Sequence, residues 1–288
     1  MQLDFISARG DILPLVNNKY FTITNIDGMT AATTSLSCNV VGGLAGDAVN
    51  NAQAQPRGIV IDLRIRPEVN VEEAKREILR VVKLKQNGAL IWTQNERTVT
   101  ISGIVETVEM PRWNEAVTMQ FSLYCSQPFW EDANYIISQN SEAVDLHYFT
   151  ENYTDMLYFS EEGLAFGEID TIRTKQFYNS GDVAIGLEIT IVALDTVTNP
   201  IIYDQNGNYF GVGYESRPVV MQAGDAIKIS TIRKHKSVTM NGVNLLDKIR
   251  PLSVWLQLET GDNSFSINSN DESISNMNFN IQYKQRYI

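Results

Sequence analysis

Apolar and polar positions alternate in short runs through most of this chain, and turn residues cut the runs at regular intervals. In the second half the breaks are Asn179-Ser180-Gly181-Asp182, Asn199-Pro200, Asn206-Gly207-Asn208, Ala223-Gly224-Asp225, Asn241-Gly242 and Thr260-Gly261-Asp262-Asn263. Gly and Asn tolerate the positive φ that tight hairpins need, and Pro sets φ at a turn entry. Alternation between such breaks predicts antiparallel strands stacked as a sandwich or barrel. Strands are expected near 156–159, 164–166, 169–178, 185–194, 200–204, 208–212, 218–221, 226–231, 236–240, 243–246, 253–258 and 263–268. The closing run 277–287 alternates without a break and is expected to be one half-exposed strand that closes the second domain.

The first half predicts strands at 2–6, 20–26, 58–65, 89–93, 97–109 and 115–126. Residues 27–57 differ, being poor in large apolar side chains and rich in Gly, Ala, Asn, Gln and Thr. A loop of that length inside a compact domain is expected to be functional or to gain order on a partner. One helix is predicted. Val71, Ala74, Ile78, Val81 and Val82 recur at helical spacing, with Lys75, Arg76, Arg80 and Lys83 on the other face. Glu72 and Glu73 in the first turn, and Lys83 and Lys85 in the last, complement the macrodipole. Asn87-Gly88 is the expected stop, which places the helix near 71–86.

The chain has 288 residues, enough for two domains with separate cores. With 43% hydrophobic and 20% charged residues, it has the composition of an ordinary globular protein. No apolar run approaches the length of a membrane span. The opening Met-Gln-Leu-Asp-Phe-Ile-Ser shows no basic region followed by an apolar stretch, so no secretory signal is expected and synthesis is placed in the cytoplasm. Net charge is −11, but residues 1–126 hold 12 Lys and Arg against 13 Asp and Glu. The imbalance lies in 127–172, which holds ten acids and no Lys or Arg. Specific nucleic-acid binding is disfavoured, because no surplus of cations exists to neutralise phosphates.

Chemistry-bearing patterns are sparse. Cys38 and Cys125 form no CxxC spacing and read as free thiols, Cys125 packed in a strand. His147 and His235 have no HxH or HxxxH partner; His235 lies in the basic turn Arg233-Lys234-His235-Lys236. No GxSxG, P-loop or GxGxxG occurs, and Gly42-Gly43-Leu44-Ala45-Gly46 reads as a flexible loop. The acids of 127–172 alternate with Tyr148, Phe149, Tyr153, Tyr158 and Phe159 but lack the EF-hand pattern. Of the tryptophans, Trp92 and Trp255 fall in predicted strands and are expected to pack in cores, whereas Trp113 lies near a turn and Trp130 ends the first β pattern. No catalytic, cofactor-binding or metal-binding residue is assigned, and no cofactor is expected. A chance carboxylate pair keeps a glycoside hydrolase as a third reading.

The order of these features matches one family. The first half ends in Phe121-Ser122-Leu123-Tyr124-Cys125-Ser126-Gln127-Pro128-Phe129-Trp130. There follow Asn179-Ser180-Gly181-Asp182, Ala223-Gly224-Asp225-Ala226-Ile227-Lys228-Ile229, Lys236-Ser237-Val238-Thr239-Met240-Asn241-Gly242, Ser253-Val254-Trp255-Leu256 and a closing Tyr283 to Tyr287. Over nearly its whole length the chain resembles the distal tail protein (Dit) family of long-tailed bacteriophages. The resemblance implies a mainly β, non-enzymatic virion protein. It would have an N-terminal ring-forming domain at 1–130 with one helix, a linker at 131–145 and a C-terminal galectin-like β-sandwich at 146–288. It also implies a homohexameric ring at the phage tail tip or baseplate, joining the tail tube protein to a tail-associated hub or tip protein and helping to attach receptor-binding proteins. The apolar-poor 27–57 segment is then the candidate to wrap a neighbouring subunit. A carbohydrate-binding module recognising host cell-wall sugars is the alternative.

Overall fold

The computed structural model describes residues 2–30, 32–40, 47–95, 97–110, 117–138, 143–144, 168–169, 174–270 and 274–288. The chain is mainly β and divides into two compact units, Met1–Asn134 with Lys284–Ile288, and Tyr135–Tyr283.

The first unit is built on β1 (Gln2–Ser7), β2 (Ile12–Pro14), β3 (Phe21–Asp27), β4 (Thr34–Val40), β5 (Asp47–Ala54) and β6 (Arg57–Ile65). The helix α1 (Val71–Val81) follows, then β7 (Asn87–Gln94), β8 (Arg97–Glu109), β9 (Thr118–Cys125) and β10 (Trp130–Asp132). The main antiparallel sheet runs β2-β1-β7-β8-β9-β6-β3, and β10 pairs with the other end of β8. Every second residue of β6 is buried, Ile59, Ile61, Leu63 and Ile65, because strand side chains alternate between faces. These meet Phe5, Phe121, Leu123 and the helix residues Ile78 and Val81 in one core. The α1 stripe packs on that core, and its outer face carries the ion pairs Lys75–Glu72 and Arg80–Glu77.

Asn70 starts the helix by accepting from the Glu72 and Glu73 N–H groups. We expect Asn70→Ala to lose about 1 kcal/mol of stability, read as a lower urea midpoint at unchanged slope. The helix ends earlier than the expected 86. Val82 is already extended at φ −89°, ψ 105°, with its side chain fully buried, and Lys85 turns left-handed at φ 62°. The chain turns there because burying Val82 in an extended conformation joins the helix to the sheet. Asn87-Gly88 opens β7 and does not cap the helix.

In the second unit a six-stranded sheet runs in the order Ile136–Ser138, Met277–Tyr283, Glu188–Ala193, Ala226–Ser230, Ser237–Met240, Val243–Asn244. A four-stranded sheet runs Thr174–Asn179, Gly261–Asn268, Ile201–Asp204, Tyr209–Gly211. Ile189, Ile191, Ile227 and Phe279 from the first sheet share a core with Phe177, Ile202, Phe265 and Ile267 from the second. This is the expected stack of two sheets. The strand readings at 156–159 and 164–166 lie outside the described residues.

Two sequence expectations need correction. The run 277–287 is not one strand. It leaves the second unit after Tyr283, and Arg286–Tyr287 pairs with Trp130–Glu131 in the first unit. Two groups hold it there: Arg286 binds Glu131 through Nη2 at 2.6 Å, and the Tyr287 hydroxyl donates to Asp132 at 2.9 Å. The stretch 131–145 is likewise not a plain linker, since Trp130–Asp132 and Ile136–Ser138 are strands in different units.

Candidate assembly arm and its root

The described residues of 27–57 do not form an irregular loop. The strands β4 and β5 pair from Thr34↔Ala54 to Val40↔Asp47, with one register shift between Ser37 and Cys38. They form a two-stranded sheet of their own. Residues 34–39 and 47–53 are all exposed, including Leu36 at 57% and Val49 at 58%. At about 3.3 Å per residue the ribbon extends roughly 25 Å. The low apolar content therefore reflects two solvent-facing sides. Among the described residues this ribbon joins no other sheet, and an isolated two-stranded ribbon is marginal in water, so the arm gains from a partner. Both outer edges offer backbone donors and acceptors for strand pairing.

The root of the arm is closely packed and hydrogen-bonded. Gly28 has φ +82°, and a Cβ there would lie 2.0 Å from the Gly58 carbonyl oxygen, so the two chain segments approach at backbone distance. The Gln55 N–H donates to Thr33 O at 2.8 Å. Arg57 is buried, and its Nη1 donates to the Met29 carbonyl at 3.0 Å; the Trp130 indole donates to the same oxygen at 3.2 Å. Trp92 packs edge-on to Trp130 with ring centres 6.0 Å apart. Burial lowers the Arg57 pKa, yet a guanidinium stays charged at any physiological pH. Among the described residues its Nε and Nη2 find no hydrogen-bond partner, which makes this a costly residue held in place by the surrounding fold.

Cys125 lies opposite Arg57 in the β6–β9 register, and burial pushes its thiol up to about 11. Cys38 is exposed on the arm. We expect DTNB at pH 8 to titrate one thiol per native chain and two in urea, because only the thiolate reacts. A raised thiol pKa favours the fold below the unfolded value near 9 and loses that contribution as pH climbs toward 11. Base-induced weakening of the first unit should therefore begin above pH 9.

A shallow groove of about 560 Å³ lies on the same unit, lined by Lys75, Leu79, Val82, Lys83, Leu84, Val108 and Met110. Leu79 and Leu84 are exposed there. The unit thus offers an apolar groove as well as an arm.

Residues 180–287 match the family model described as siphovirus-type tail component, C-terminal domain. That part of the chain is therefore similar to the C-terminal domain of a siphovirus-type tail component. The fold of the chain is that of the Dit protein of phage SPP1, described as a paradigm of the hub adsorption apparatus in phages infecting Gram-positive bacteria. The TM-score is 0.68 at 12% identity, over 99% of both chains. Chains of the phage P2 baseplate in its activated conformation also align. The form with Ca gives TM-score 0.49 at 13% identity over 99% of this chain and 97% of that chain. The form with Sr gives 0.48 at 13% over 100% and 99%. No curated protein matches the sequence.

In this chain the residues singled out by sequence do not converge. His235 is exposed on a turn, Cys38 and Cys125 sit on different strands, and His147, Trp113 and the 145–167 acids lie outside the described residues. Among the described residues, no group of three or more His, Cys, Asp or Glu side chains could hold a metal ion. Trp92 and Trp255 both pack against cores, Trp255 on Phe210 with Lys236 Nζ 5.0 Å above its ring. The hairpin form of the arm was the feature missed. Its signal was the Gly-rich 42–46 stretch between two runs of strand length.

Proposed function

We propose that this chain is a structural, non-catalytic adaptor that forms a hexameric ring at the distal end of a phage tail. The ring joins the tail tube protein to a hub or tip protein and helps to attach receptor-binding proteins. The first unit supplies the ring contacts, and the second is a galectin-like sandwich. The observation that carries this reading is the exposed ribbon β4–β5 on a closely packed root, an element with edges and apolar side chains to share and little reason to be stable alone. A closed ring of identical subunits uses such an arm heterologously, each copy gripping the next until the circle closes. The Dit-like fold and the tail-component match support the setting. A sugar-binding role has less support, because Trp255 of the second unit is packed on Phe210 beneath Lys236 and is not free to stack on a sugar.

Electron microscopy and native mass measurement of the purified chain test the proposal. The expected result is a six-fold particle with a central channel. A lone subunit at high concentration that binds no tube or hub component overturns it.

A further inference from the structure

One loop of the second unit breaks its own local rule. Ser253 N donates to Arg250 O at 3.2 Å, which closes a turn with Pro251 in the second position and Leu252 in the third. Leu252 has φ +64°. This is the pattern of a type II turn, whose third position normally takes Gly or Asn because a Cβ is strained there. The residue present is instead a large apolar one, and it is 87% exposed, with the greatest exposure of any large hydrophobic among the described residues.

The strain is not relieved by mobility, because the loop is tied down on both sides of Leu252. The Tyr209 hydroxyl donates to Pro251 O at 2.9 Å, Gly211 N to the Ser253 hydroxyl at 3.1 Å, and Val254 N to Tyr209 O at 2.8 Å. Arg250 N donates to Gly211 O, and its guanidinium to Asn270 at 2.9 Å. Ser253 turns inward, which leaves Leu252 and Val254, itself 48% exposed, facing out. A single exposed leucine needs no explanation, but one held in an unfavourable backbone by a web of hydrogen bonds does.

The surroundings are cationic. Lys248 and Arg250 lead into the turn, and Lys236 stands over Trp255 at its far end. The nearby carboxylate of Asp247 is paired with Arg217 at 3.5 Å. An exposed apolar knob with Lys248 and Arg250 just before it in the chain fits an apolar pocket rimmed by carboxylates.

We infer that the Arg250–Val254 turn is a docking knob for a second protein of the particle, one that presents an apolar pocket edged by Asp or Glu. This rests on the structural role proposed above, because the partner is sought in the assembled tail. The test places a photo-reactive p-benzoylphenylalanine at position 252, and in parallel at Val220 on another strand, in full-length chain built into tail particles. The expected result is a cross-link from 252, and not from 220, to a different polypeptide at a peptide holding apolar residues beside Asp or Glu. Its yield should fall severalfold as salt rises from 50 mM to 0.5 M, since exposed charge contacts are screened. A cross-link to another copy of this chain, to a peptide without carboxylates, or to nothing overturns the inference. Leu252→Asn provides a second arm. Asn accepts the left-handed conformation, so the variant should melt no lower than the parent while retaining at least tenfold less of the cross-linked partner; unchanged retention also overturns the inference. Ring formation by the purified protein is scored separately. Loss of the ring counts against the proposed adaptor, and loss of the cross-link against the knob.

Discussion

Replacing residues 33–55 with a two-glycine linker should convert a six-fold particle into a folded single chain. The junction permits it, because the removed ends, Thr33 O and Gln55 N, are 2.8 Å apart, so the flanking residues Ala32 and Pro56 already lie close together. The fold should survive, because neither core cluster contains a described residue from 32–54. Assembly should not. The arm carries the exposed Leu36 and Val49 and the unpaired strand edges, and the same contact would recur six times around a ring. Interface anchors commonly cost about 2 kcal/mol or more when removed, so even Leu36→Asp should shift assembly by at least tenfold in concentration. The measurement is native mass beside a urea melt of the same sample. A deleted chain that still forms the six-fold particle removes the arm from the explanation.

Gly28→Ala should be the most damaging single substitution at the arm root. The added Cβ would sit 2.0 Å from Gly58 O, 3.1 Å from Gly58 C and 3.3 Å from Ile59 Cα. All three are backbone atoms of β6, so no side chain can rotate away. The φ of +82° adds a further penalty for any L residue. Together these should cost about 3 kcal/mol or more, seen as a lower urea midpoint and a weakened ring. Gly58→Ala is the control. Nothing lies within 4 Å of its Cβ position and its φ is ordinary, so the change should be neutral or slightly stabilising. Equal losses at both positions would show that the close approach does not hold the root.

Much of the β framework was legible because alternation is local. Ile189, Ile191 and Ala193 point inward from one strand, and Met277, Phe279, Ile281 and Tyr283 from another, as their spacing requires. Asn206-Gly207, Ala223-Gly224 and Asn241-Gly242 each fall at a turn where Gly207, Gly224 and Gly242 take positive φ. The helix start was legible for the same reason, from an apolar stripe and an acidic first turn. Its end was not. Val82 continues the helical spacing, and only its burial in an extended conformation ends the helix. The arm was misread because a ribbon exposed on both faces lacks the apolar alternation by which strands are found. The Leu252 turn escaped for the opposite reason, since Pro251-Leu252 contains no Gly or Asn to mark a positive φ.

Residue order alone determined that this protein is built largely from short antiparallel strands with a helix starting near Val71, that its net negative charge comes from one segment, and that its sequence holds no nucleophile or metal motif. Those are properties of neighbours along the chain, set by side-chain period and turn chemistry. Tertiary structure decided which distant segments meet: that 34–54 stands out as a paired arm, that Arg57 and Trp130 share one carbonyl at its root, and that Arg286–Tyr287 returns to the first unit. The meetings of Arg57 with Trp130 and of Arg286–Tyr287 with Trp130–Glu131 depend on which surfaces and open edges fit one another across about 70 to 155 residues, and side-chain period along the chain does not encode that choice.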